Sequence, residues 1–301
     1  MFSAPVPADR FLQLSSGSTS VTFQDPTGEP TAATGTVTAS VYRSDGTLVQ
    51  ASVSTTTGST GYYAAHLSSA SVAQLELLTV KWYDGSTLRK QTAVEIVGGF
   101  YFTIAEVRAI DPALSDEDRY PLSRIQQGRA LVEWEAERIM GVSWVPRYRY
   151  VTLDRPAWPQ LLLPDPMIRD IRIVRAYNAP TSTIDYTSGT SFDDLAGTET
   201  GIAVSRSGAW SWCSVSAPFR SLTVGYEHGF DAPSPDVKDA ALLHLRHKLN
   251  RRTAALSDRA TSQNNDFGAV TLATAGVDFA TGIPDVDSVY ARHSYRTPGI
   301  G

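Results

Sequence analysis

The sequence predicts an α+β, multidomain protein: an N-terminal antiparallel β-sandwich (1–99), a helical domain with a β insertion (100–256, insertion about 143–229), and an extended C-terminal arm (257–301). Three observations predict it. Residues 1–99 are rich in Ser, Thr, Val and Gly, poor in charge, and alternate apolar with polar residues. Beyond Gly98-Gly99 charge rises and apolar residues recur at three- and four-residue steps. From 257 onward the apolar residues stand singly among Ala, Thr, Gly, Asp and Ser, with no sustained period.

The sandwich follows from short alternating runs, Ser20-Val21-Thr22-Phe23, Thr36 to Tyr42, and Leu78-Thr79-Val80-Lys81-Trp82. Turn signals part them: Asp25-Pro26-Thr27-Gly28, Ser44-Asp45-Gly46, Thr57-Gly58 and Asp84-Gly85-Ser86. Asp-Gly between apolar runs favours a tight hairpin, because glycine takes positive φ without steric cost. Several short strands at this spacing predict an immunoglobulin-like sandwich, although the Cys-Trp-Cys pattern of a true immunoglobulin domain is missing.

In the second region Thr103-Ile104-Ala105-Glu106 is a capping-box pattern opening a short helix to about Ile110, which Asp111-Pro112 ends. A longer helix is predicted from Pro121 to Met140. Leu122, Ile125, Gly128, Val132, Ala136 and Ile139 share one face, and Gly141 is the C-cap. Strands are expected at Arg147 to Leu153, Met167 to Tyr177, Gly201 to Ser207, Trp210 to Val215 and Ser221 to His228. A last helix starts at Ser234-Pro235, with Ser as N-cap, and presents Val237, Ala241, Leu245 and Leu249 on one face. The C-terminal arm cannot bury enough apolar area to offset roughly 1–2 kcal/mol of backbone entropy per residue. It is expected to order only against another surface.

Composition narrows the function. The 301 residues carry 26 Lys+Arg against 31 Asp+Glu, a net charge of −5. That argues against a dedicated nucleic-acid binder, which needs cations to displace phosphate counterions. One cysteine, Cys213, excludes an intramolecular disulfide framework and disfavours a zinc-thiolate site. Met1 to Pro5 lacks the basic and apolar regions of a signal peptide, and no apolar run is long enough to span a membrane.

The motifs that carry chemistry elsewhere are incomplete here, so no enzyme activity and no catalytic, cofactor or metal site is expected. His244 and His247 lie one helical turn apart but lack an acidic residue between them and a third ligand. Glu227-His228 has no nucleophile elbow beside it, and Ser234 reads as a cap. Asp116-Glu117-Asp118 lacks the spaced oxygens of a calcium loop. No P-loop is present. Arg169, Arg172 and Arg175 suit intersubunit ion pairs better than a nucleic-acid patch. Trp210 and Trp212 read as core or interface, and Cys213 as a small half-buried apolar residue.

From about Thr103 onward, two thirds of the chain resembles the head-to-tail adaptor (connector) proteins of long-tailed bacteriophages. The resemblance is carried by Glu137-Arg138-Ile139-Met140-Gly141-Val142-Ser143-Trp144-Val145-Pro146-Arg147 and by Leu161 to Arg172 with its Leu-Pro-Asp-Pro centre. It is carried further by Val224-Gly225-Tyr226-Glu227-His228-Gly229-Phe230-Asp231 running on through Pro235 to Leu243, and by Thr281-Gly282-Ile283-Pro284-Asp285-Val286-Asp287. It implies a virion protein of the head–tail junction (neck), made in the host cytoplasm and assembled as a homo-oligomeric ring, commonly of twelve subunits. Such a ring docks on the portal, extends the DNA channel, lets DNA pass without specific binding, and offers its other face to a stopper or tail-side neck protein. No membrane is involved. The portal-binding arm maps onto Phe267, Val270, Leu272, Phe279, Gly282, Ile283, Pro284, Val286 and Tyr290. The ring-interface candidates are Arg129, Arg169, Arg175, Arg246 and Arg251. The N-terminal sandwich departs from the simplest members and resembles modules attached to phage structural proteins. A different reading is a carbohydrate-binding or carbohydrate-acting tail protein whose Tyr62, Tyr63 and Trp82 stack on sugars.

Overall fold

The computed structural model describes residues 9–154, 160–179, 182–185, 195–197, 202–205, 221–250, 262–265, 268–271 and 280–295. The protein is α+β and divides into two compact units, 1–99 with 145–231, and 100–144 with 232–301. The predicted β insertion therefore groups with the N-terminal sheet rather than with the helices, a different partition from the one the sequence suggested.

The first unit begins with β1 (Asp9–Leu12), β2 (Gly17–Thr22), β3 (Val37–Tyr42), β4 (Leu48–Thr57), β5 (Tyr62–Leu67), β6 (Glu76–Asp84) and β7 (Thr87–Val97). They form one sheet in the order β1-β7-β6-β3-β4-β5-β2. β4 changes partner along its length. Residues up to Ser54 pair with β3, and Thr55 to Thr57 pair with β5. Ser52, at φ 46°, lies just before the change. The sheet therefore wraps around an apolar interior, and the alternation seen in sequence becomes an inside and an outside. Leu78, Val80 and Trp82 of β6 point inward with Phe23, Tyr63, Leu67, Val94 and Ile96. Each such side chain contributes about 1.5–3 kcal/mol when fully buried. The Trp82 indole, enclosed on all sides, donates Nε1–H to Thr92 Oγ1 at 2.9 Å. The Asp-Gly hairpins fall where predicted. Gly46 and Gly85 sit at φ 87° and 59°, between β3 and β4 and between β6 and β7.

In the helical unit, α1 (Ile104–Ile110) carries the predicted capping box: Thr103 Oγ1 accepts the Glu106 amide at 3.2 Å, and Glu106 Oε2 accepts the Thr103 amide at 2.7 Å. Asp111 closes α1 and caps the 3-10 turn Pro112–Ser115 through the Ala113 amide. α2 (Leu122–Met140) ends at Gly141, whose φ of 70° makes it the left-handed cap expected. Ile125, Val132 and Ala136 are buried as the periodicity predicts, whereas Leu122 is exposed and Ile139 half-buried. α2 buries a second stripe that apolar periodicity does not show. Glu133 Oε1 accepts the Tyr101 amide at 2.9 Å, and Arg129 donates to the Phe102 carbonyl at 3.3 Å while covering the Phe100 ring. These charged groups satisfy irregular backbone that has no ladder of its own.

The chain returns to the first unit as β8 (Arg147–Asp154), β9 (Gln160–Leu162), β10 (Ile168–Ala179), β11 (Ser182–Asp185), β12 (Leu195–Gly197), β13 (Ile202–Ser205) and β14 (Ser221–His228). These form a sheet β11-β10-β14-β8 and a smaller one β12-β13-β9. Contacts to the N-terminal sheet explain the grouping. The Gly98 amide donates to the Pro146 carbonyl at 2.9 Å. Glu95 of β7 accepts from Arg147 of β8 at 2.6 Å and from Arg10 of β1 at 2.8 Å. Arg172 of β10 donates to the Leu75 carbonyl at 2.6 Å. The expected strand at Trp210 to Val215, with Trp212 and Cys213, lies outside the described residues.

α3 (Pro235–Asn250) then packs on α2, with Leu245 Cδ1 against Gly128, where an added Cβ would stand 2.7 Å away. The hairpin β15 (Ser262–Asn265) with β16 (Gly268–Thr271) and the helix α4 (Pro284–Arg292) complete the described chain. None of the described helices is long and apolar enough to cross a membrane.

Candidate functional site

Within the expected free arm, residues 280–295 hold the helix α4, which is seated on α2 and α3. Its N-terminus is built by the motif that marked it in sequence. The Thr281 amide donates to the Asp287 carboxylate at 3.0 Å, the Ile283 amide donates to Thr281 Oγ1 at 3.2 Å, Gly282 takes φ 80°, and Pro284 opens the helix. Val286 and Tyr290, one turn apart, are both fully buried. The far end is latched. His293 Nε2 lies 2.6 Å from Asp236 Oδ2, its ring meets Trp144 edge-on at 5.3 Å, and the Tyr295 amide donates to the Met140 carbonyl at 2.6 Å. Hydrogen bonds from Ser234 and then His293 hold the Asp236 carboxyl at about 2. The Ser234 hydroxyl donates to Asp236 Oδ1 at 2.6 Å at the head of α3.

This corrects the reading of the arm. Val286 and Tyr290 cannot face a partner from this seat, because both are spent on the chain's own bundle. Nine residues are too few for a lone helix in water, and two large apolar anchors supply the burial that composition concealed. Gly282 and Ile283 are half-buried and Pro284 is exposed. Val270 lies in β16, paired in register with Gln263. Phe267, Leu272 and Phe279 lie outside the described residues.

Beside α4 is a small cleft of about 150 Å³ lined by Glu135, Arg138, His244, His247, Lys248 and Thr281. Burial pushes the Glu135 carboxyl up, but hydrogen bonds from His244, 3.3 Å away, and from Lys248 outweigh it and hold it at about 2. His244 is buried against the Tyr290 ring, whereas His247 is exposed. Among the described residues no group of three His, Cys, Asp or Glu side chains is placed to hold a metal ion.

Four of the five arginines expected at a ring interface have partners in their own chain. Arg129 is buried under Phe100. Arg169 pairs with Asp231 at 2.7 Å, Arg175 stands 3.9 Å from Asp45, and Arg246 pairs with Asp111 at 2.9 Å. Arg251 lies outside the described residues. Strict alternation also fails on β10, where register shifts fall between Ile168 and Asp170 and between Ile171 and Ile173. Arg172 turns in to Glu227 and the Tyr148 ring.

Glu227-His228 borders a polar cluster in which Tyr226 and His228 are buried and Asp165 is half-buried. Tyr226 donates to Asp165 Oδ2 at 2.5 Å, Arg149 pairs with both Asp165 oxygens at 2.7 and 2.9 Å, and His228 Nε2 stands 3.9 Å from Asp165. Burial pushes the His228 ring below its ordinary value and the Tyr226 hydroxyl above its own. Glu227 itself is engaged by Arg172. The arrangement fastens β8, β14 and the Leu163 to Met167 turn. Asp116 accepts the Asp118 and Arg119 amides, which makes its acidic run a self-bonded turn.

The sugar-stacking aromatics divide: Trp82 and Tyr63 are core, at 0% and 6% exposure, and Tyr62 is 38% exposed. Sequence reasoning missed the Asp236–His293 latch, the Asp165 cluster and the Arg10–Glu95–Arg147 clamp. Each joins residues dozens of positions apart, and no local pattern announces them. No family model and no curated protein matches the chain.

Proposed function

We propose that this protein is a head-to-tail adaptor of a long-tailed bacteriophage, a non-enzymatic ring subunit that joins portal to tail. The observation that carries the reading is the segment Val224 to Leu243: it runs as strand β14, a turn at Gly229 with φ 101°, and helix α3, and the Gly-Ile-Pro-Asp-Val motif heads the helix that packs on α3. Supporting it is a helical unit whose members are separated in sequence by a long β insertion. The strand order β1-β7-β6-β3-β4-β5-β2, with β4 shared between β3 and β5, supports an immunoglobulin-like reading of residues 1–99. On this proposal that sheet decorates the outer wall of the ring.

A closed ring needs two different, complementary faces on every subunit. The portal contact falls to the outward face of α4, where Pro284, Asp285, Ser288, Ala291 and Arg292 are exposed, in place of its buried face. A stopper or tail-side neck protein takes the opposite end, and DNA passes through the lumen, where a net charge of −5 per chain discourages trapping of phosphates. Because Val286 and Tyr290 fill the bundle, deleting 257–301 would uncover an apolar groove on α2 and α3 and destabilise the helical unit. The test is electron microscopy of virions carrying a labelled copy of this chain. Density at the junction of portal and tail is expected; label on the capsid lattice or along the tail shaft overturns the proposal.

A further inference from the structure

We infer that α4 is an exchangeable plug: the groove between α2 and α3 that it fills in its own chain is also the site at which one copy of this protein captures the α4 of a second copy. Three observations carry this. The plug is complete in itself. Val286 and Tyr290 supply its buried face, Thr281 and Asp287 close its N-terminus, and His293 supplies the latch to Asp236 at 2.6 Å. The groove is complete without the plug's chain connection, since its contributors, Met140 at the end of α2, Trp144 just beyond it, and Asp236 and His244 of α3, all lie before residue 251 in sequence. The connection is long: the 29 residues 251–279 separate the end of α3 from Ala280, with the hairpin of β15 and β16 among them. At about 3.3 Å per extended residue, half of that stretch spans roughly 45 Å, several times the width of a helix. Every contact made within one chain is thus available between two, so exchange changes connectivity and leaves the contacts as they are. The choice of owner then follows from the effective concentration of neighbouring copies.

This inference deepens the ring reading and rests on it only for what brings copies together. The test uses full-length chains in a Cys213→Ser background. Ala280 and Arg138 line the same small cleft from the plug side and from α2, and both are exposed. Copies carrying A280C are mixed with copies carrying R138C at rising concentration and treated with a short bismaleimide; neither copy can bridge this cleft within itself. The expected result is a covalent dimer whose yield rises with concentration and falls at least tenfold when Tyr290→Ala is added to the A280C copy. A mixture of A280C with L48C, whose cysteine lies on β4, gives the collision background. A doubly substituted A280C/R138C chain confirms that the cleft forms. If that chain links within itself while the mixed copies stay at background throughout, exchange is refuted. Portal binding, measured separately with purified portal rings, reports on the adaptor reading, which survives a negative exchange result and falls if portal is not bound.

Discussion

Tyr290 offers a sharp test of how α4 is held. Its side chain is fully buried, its ring meets His244 edge-on at 6.2 Å, and its hydroxyl has no hydrogen-bond partner among the described residues. Burial pushes that hydroxyl above its ordinary value, with the Glu135 and Asp287 carboxylates adding to the effect, so it stays protonated. A buried, unsatisfied hydroxyl costs about 1–3 kcal/mol. Tyr290→Phe removes it and keeps the ring, so the variant is expected to be more stable by about 1 kcal/mol. Tyr290→Ala loses the ring and leaves a cavity, for a loss of about 3–5 kcal/mol. Urea unfolding followed by tryptophan fluorescence reads both, and Trp144 beside His293 reports locally. Amide exchange over residues 284–292 should be little changed or slower in the Phe variant and much faster in the Ala variant. A Tyr290→Phe protein destabilised by 1 kcal/mol or more would refute the reasoning, because the hydroxyl would then have a partner whose loss is felt.

Glu95→Ala removes the buried carboxylate that Arg10 and Arg147 share, and a loss of about 3–5 kcal/mol in denaturant unfolding is expected. Glu135 is held at about 2 in the folded chain against an ordinary 4.5, so its contribution is complete above pH 4.5 and lost as pH falls toward 2. Glu135→Gln should flatten that acid limb of the stability curve. His228 titrates below its ordinary 6.5 when folded; protons bind preferentially to the unfolded chain, and stability present above pH 6.5 declines as pH drops. His228→Asn should remove that slope in pH-dependent thermal unfolding. Gly225→Ala would place a Cβ 2.2 Å from the Tyr148 hydroxyl and 3.2 Å from Ile173 Cβ, and a loss of about 1–3 kcal/mol is expected from overpacking.

Local chemistry was legible in the sequence and long-range pairing was not. The capping box at Thr103, the Gly141 cap, the Asp-Gly hairpins and the apolar face of α3 each depend on residues within a few positions, and each formed as read. The allegiance of the β insertion depends on Glu95 meeting Arg147 and on Arg172 reaching the Leu75 carbonyl. Composition placed a boundary at Gly99 and could not show that the chain crosses back. Residues 280–295 depart from the expected extended arm for a related reason. Its average composition is that of a loose arm, but burial is decided residue by residue, and Val286 with Tyr290 at a four-residue step is enough to seat a helix given a prepared groove. The arginines were read from charge alone. Asp45, Asp111 and Asp231 lie 62 to 135 positions from their partners, so pairing within the chain left no local sign.

The clamp on Glu95 bears on any attempt to use the N-terminal sheet as a portable module. A fragment cut after Gly99 keeps Arg10 and forfeits Arg147, and it turns out to solvent the Gly98 surface that Pro146 now covers. A faithful excision must therefore be discontinuous, with 1–99 and 145–231 rejoined by an artificial tether in place of the helices between them. Binding assays on the simple fragment would interrogate a surface that the intact molecule never presents.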